Sequence, residues 1–127
     1  MKPTNGVCDV LDLLMQLTDE DLDCVQANYV SNEYVDEHGP MLQQWFIRLL
    51  SEERDRRAKG NDTADLTIVD FSQWPTDQLV AESWFALECA EWTATAAYKP
   101  CLTALTFAVA KAMAAEAYHR LLLSAPA

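Results

Sequence analysis

Apolar residues return at every third or fourth position through most of this chain, the spacing that lines one face of a helix. Val7, Val10, Leu11, Leu14 and Leu17 predict a short first helix. Thr18 then offers an N-cap, and Asp19, Glu20 and Asp21 crowd the next first turn, where the helix dipole favours anions. Leu22, Val25 and Tyr29 give a second helix a narrow stripe, with a bend expected at Ser31-Asn32 and an end by Gly39. Pro40 suits the first turn of a third helix, whose stripe is Met41, Leu42, Trp45, Phe46 and Leu49. Glu52–Arg56 and Glu53–Arg57 are spaced as i,i+4 ion pairs, and Gly60 is the expected stop.

The pattern changes in "NDTADLTIVDFSQW", which has strand-like composition but no partner strand elsewhere in the chain. It predicts an extended connection near residues 60–75, packed on the bundle by Ile68, Phe71 and Trp74. Pro75 holds Trp74 extended, and Thr76 is the expected cap of a fourth helix over residues 77–98. That helix has two apolar stripes, one through Leu79, Val80, Ala86, Leu87, Ala90, Ala94 and Ala97, the other through Ala81, Phe85, Trp92 and Ala96. A helix apolar on two sides is central in its bundle or shares a face with another chain. Pro100 opens the fifth helix. Its charge-free run between Lys99 and Lys111 is too short for a span of roughly 20 residues, so it reads as an alanine-rich core helix. The reading is an all-α, compact single-domain bundle of about five helices over residues 1–127. It divides into N-terminal helices over 1–59, the extended connection over 60–75, and a C-terminal helical hairpin over 76–124.

Composition supports this without staples. Half of the 127 residues are apolar, and the four cysteines, Cys8, Cys24, Cys89 and Cys101, show no paired spacing. The polar start, Met1 to Gly6, leads into no signal-peptide stretch, so a reducing cytoplasm is expected.

Charge is the most informative feature. The formal net charge is −11, and it is unevenly spread. Residues 1–47 carry nine acids against Lys2 alone, and residues 60–98 carry seven acids with no basic residue. Such a chain is repelled by nucleic acid, whose binding depends on cationic contacts to phosphate, and by anionic membrane surfaces. It is drawn instead to basic protein surfaces, although the same acidity also keeps a half-apolar chain soluble.

Motifs for catalysis are thin. Glu116-Ala117-Tyr118-His119 sets a carboxylate and an imidazole on one helix face, but di-metal bundles need two such pairs and two further glutamates. Glu88 and Glu91 offer carboxylates, yet His38, the other histidine, follows Glu37 directly and completes no second pair. Arg120, one turn beyond Glu116, predicts a surface ion pair there. Cys8 and Cys101 fall near expected helix N-termini, which can activate a thiol, but no spacing ties either to a histidine base. Gly6, Gly39 and Gly60 are scattered, so no phosphate-cradling loop or nucleophile elbow occurs. Neither an enzyme nor a cofactor nor a metal is expected.

The two acid blocks predict a binding module that docks on a basic protein or nucleoprotein complex, without direct nucleic-acid or membrane binding. The expected contact residues are Asp19, Glu20, Asp21, Asp23, Glu33, Asp36, Glu37, Trp84, Glu88 and Glu91. Trp84 is the expected exposed anchor among carboxylates, since tryptophan is enriched at interface centres. In composition alone the chain resembles small acidic inhibitors, such as antitoxin or immunity proteins and phage anti-defence proteins that mimic nucleic acid. Two alternatives stand beside this: a homodimer seamed through helix 77–98, and a small metal- or thiol-dependent enzyme.

Overall fold

The computed structural model describes residues 7–60, 71–95 and 99–124, with side chains from residue 10 to residue 123 of these. Six α-helices and one 3-10 turn make up the described residues: α1 Val7–Met15, α2 Asp19–Tyr29, α3 Glu33–His38, α4 Pro40–Ala58, the turn Phe71–Gln73, α5 Thr76–Thr95 and α6 Pro100–Ser124. The fold is all-α, as the hydrophobic spacing predicts.

The expected second helix is two helices. The N–H groups of Val30 and Ser31 both close on the Gln26 carbonyl, and Asn32 then starts afresh by accepting the Tyr34 N–H at 2.9 Å. A side-chain cap at the bend turns a kink into a break. The helix after Pro75 begins at Thr76 itself and runs to Thr95. Much of the expected extended connection, including Ile68, lies outside the described residues. Its described end, Phe71–Gln73, is a 3-10 turn, not extended chain. Phe71 and Trp74 are buried, as expected.

One core joins all the helices. Leu14, Leu22, Leu42, Leu49, Leu79, Leu105 and Met113 are shut off from solvent, and a file of aromatic rings runs through the centre. Tyr29 stacks on Phe46 at 4.5 Å, Trp45 meets Phe46 edge-on at 5.3 Å, and Phe71 links Trp45 to Trp74 at 5.0 and 5.1 Å. Helices α5 and α6 form an antiparallel hairpin. Thr93 meets Thr106 at one end at 3.3 Å, and Thr76 accepts from Arg120 at the other at 3.0 Å.

Three buried glutamates lock the helices together. Glu53 on α4 receives Arg56 and Arg57, each at 2.7 Å. Arg57 also reaches Asp19 at 2.9 Å and the carbonyls of Leu14 and Leu17, so it closes the open C-terminal end of α1. Glu116 pairs with Arg120 at 3.0 Å, and Arg120 donates onward to the carbonyls of Phe71, Ser72 and Trp74. The expected surface pair at Glu116 is therefore a buried clamp, because the residue lies on the core side of α6. The third glutamate, Glu82 on α5, caps α4.

Candidate functional site

Where the acids sit decides what they can bind. Of the first block, Asp21 is buried: its carboxylate accepts the Thr18 N–H while Thr18 Oγ1 accepts the Asp21 N–H, both at 3.1 Å, a capping box that starts α2. Lys99, immediately before α6, adds an ion pair at 3.0 Å. The Thr18 backbone bond first, then Lys99, holds the Asp21 carboxyl below its usual range, and Asp21 in turn pushes the Lys99 ammonium up. Asp19 pairs with Arg57 and Asp23 with Arg54, at 2.9 and 3.0 Å. Glu20 is the member of that cluster left exposed without an ion pair among the described residues. Asp21 thus serves the fold, while Asp19 and Asp23 stay exposed but each meets an arginine from its own chain.

The remaining expected residues divide between two faces of α5. At about 100° per residue around the helix axis, Glu88 falls on the side of Phe85 and Trp92, whereas Glu91 falls on the side of Val80 and Leu87. On the Glu88 side, α5 faces α2 and α3 across a groove of about 410 Å³. Its lining includes the rings of Tyr34, Phe85 and Trp92, the carboxylate residue Glu88, and Asn28, Asn32 and Cys89. Two ring contacts hold α3 against α5 there, Tyr34 against Phe85 at 5.7 Å and His38 against Phe85 at 5.9 Å. Tyr34 and Trp92 remain more than half exposed. Glu33, Asp36 and Glu37 are exposed on α3, the helix that forms one wall.

No protein family, curated protein or solved structure matches this chain.

Trp84 is 70% exposed, as an anchor should be, but it stands over a different groove. That groove, of about 340 Å³, lies between α5 and α6 and is lined by Val80, Leu87, Phe107, Lys111 and alanines, with no carboxylate among the described residues. Of its expected carboxylates, Glu88 stands one turn on and Glu91 two turns on along α5, whereas the groove lining itself is apolar.

Of the thiols, Cys89 has a setting that disfavours the thiolate. Burial, and then the charge of Glu88, pushes Cys89 up to about 11. Cys101 Sγ points to an Asp21 carboxylate oxygen at 3.9 Å, and the Cys8 side chain lies outside the described residues. His119 is exposed, while its spacing partner Glu116 is buried against Arg120. Among the described residues no three histidine, cysteine or carboxylate groups converge as metal ligands, and no helix is long and apolar enough to cross a membrane.

The groove is hard to read from sequence because its aromatic members belong to different stripes. Tyr34 sits on a six-residue helix too short to show a period, and Trp92 resembles a core position. One signal is present: a run of acids on α3 beside tyrosine, with no lysine or arginine between Lys2 and Arg48.

Proposed function

We propose that this chain is a non-enzymatic protein-binding module that receives a basic segment of a partner in the groove between α3 and α5. The observation that carries the reading is the contrast between the two acid clusters. Asp19, Asp21 and Asp23 each have a cation from their own chain, whereas Glu88 lines the aromatic groove and Glu33, Asp36 and Glu37 stand exposed elsewhere on α3, all four outside the ion pairs of the described residues. An arginine or lysine entering between Tyr34 and Trp92 meets ring faces and a carboxylate together, the combination that favours a cation over a neutral side chain. The natural partner is a basic protein or nucleoprotein complex, and the role is that of a cytoplasmic inhibitor of antitoxin, immunity or anti-defence type, covering a surface otherwise used by nucleic acid.

A defined probe tests this. Titration with an arginine-rich peptide, followed by intrinsic fluorescence, is expected to give salt-sensitive binding. Reversal of Glu33, Asp36, Glu37 and Glu88 to lysine is expected to abolish it. A control variant matched in charge carries reversals at exposed acids away from the groove, Asp12, Glu20, Asp55 and Asp77. If the control loses as much affinity as the groove variant, the peptide is reading net charge and the groove has no special part.

A further inference from the structure

We infer that the outer face of the α5–α6 hairpin is a seam on which a second copy of this chain docks, closing two hairpins into a four-helix bundle. The face is independent of the groove that receives the basic segment. Phe107, Lys111, Ala114, Tyr118 and Leu121 follow one another at three- and four-residue steps along α6, so they form one strip, about 21 Å long at about 1.5 Å per residue. Val80, Trp84 and Leu87 run beside it on α5. Phe107 and Val80 are each exposed, as are Tyr118 and Leu121.

Three observations point to a second copy as the occupant. First, two chains of net charge −11 repel each other over most of their surface, and the groove here has no acid in its described lining. Second, the face carries both a large and a small element: Trp84, 70% exposed, and the alanines Ala110, Ala114 and Ala117 line the same groove. A twofold axis across the face sets each Trp84 over the other copy's groove, so that each copy supplies both the projection and its receptacle. Third, the face is self-complementary in charge, with Lys111 on α6 and Glu91 on the matching side of α5, each outside the ion pairs of the described residues. A basic partner gains nothing from the apolar lining and is opposed by Lys111.

Light scattering and sedimentation from low to hundreds of micromolar test the seam. The expected result is a concentration-dependent shift to twice the chain mass. Trp84→Ala is expected to weaken association about 30-fold, the loss typical of an anchoring tryptophan. Lys111→Glu is expected to weaken it as well, and Lys111→Glu with Glu91→Lys to restore it. Unchanged helical circular dichroism shows that each variant is folded. A wild-type chain that stays monomeric throughout, or a dimer indifferent to Trp84 and Lys111, overturns the inference.

Discussion

Glu82 caps a helix 40 positions away: its Oε1 accepts the Leu42 N–H at 2.7 Å. Its second oxygen takes the Met41 N–H at 3.3 Å and a hydrogen bond from the Gln78 amide. The need is local. Gly39, the N-cap of α4, has no side chain to offer, and Pro40 has no N–H, so the first free donors are those of Met41 and Leu42. Helix α5 supplies the missing acceptor. Glu82→Ala leaves the buried Leu42 donor and the half-buried Met41 donor without it, and is expected to cost about 2–4 kcal/mol. Glu82→Gln keeps one acceptor oxygen and should cost less. Urea unfolding checks both, as a fall in midpoint at constant slope.

The same junction makes Gly39 necessary for a steric reason. A Cβ there would lie 2.7 Å from Phe85 Cδ2, closer than atoms in contact can sit. Gly39→Ala is expected to destabilise by about 1–3 kcal/mol, because α3 and α5 must separate to admit it. Gly39→Ala combined with Phe85→Leu should recover part of that loss, which thermal or urea unfolding of the pair would show.

Acid should loosen the fold through Glu53 and Asp21. Burial alone would raise the Glu53 carboxyl, but Arg56 and Arg57 outweigh it and hold it below its ordinary value of 4.5. A carboxyl depressed in the folded state adds stability above its unfolded pKa and loses it as the pH falls through the folded one. Unfolding free energy is therefore expected to be level near neutrality and to fall between about pH 5 and pH 2. Glu53→Gln should be less stable at neutral pH, by about 3 kcal/mol, and flatter over the acid range. An acid limb equally steep in that variant would assign the loss to other groups.

Cys89 should behave as an inert thiol. With its pKa pushed up to about 11, it holds little thiolate at neutral pH. An alkylating reagent is expected to leave Cys89 unmodified in the native protein and to reach it on unfolding, as read by peptide mass spectrometry. Rapid native labelling at this position would reopen a thiol-based chemistry.

Much of the helical architecture is legible because the apolar period is strong in α1, and because Pro40 and Pro100 mark where α4 and α6 open. The buried glutamates are not, and for one shared reason. Glu82 lies between Leu79 and Phe85 on the α5 stripe, Glu53 extends the stripe of Phe46 and Leu49, and Glu116 follows Val109 and Met113. Each is a charge on a core position, which period alone cannot distinguish from an edge. The i,i+4 spacing predicts Arg57 and Arg120 as partners of Glu53 and Glu116, but the Leu42 donor of Glu82 and the Phe71–Gln73 turn that Arg120 reaches meet these side chains only through tertiary packing. The same limit hid the groove at Tyr34 and Trp92. It also concealed that Asp19, Asp21 and Asp23, the densest acids in the chain, are held by Arg57, Lys99 and Arg54.

The four indoles are sorted by the fold into two optical populations. Trp45 and Trp74 sit within the aromatic file, whereas Trp84 and Trp92 face water on different sides of α5. Iodide should therefore quench a red-shifted fraction of the emission and spare a blue one. A cationic peptide should shield Trp92, and self-association should shield Trp84, so single-tryptophan variants turn the molecule into its own reporter of which side is occupied.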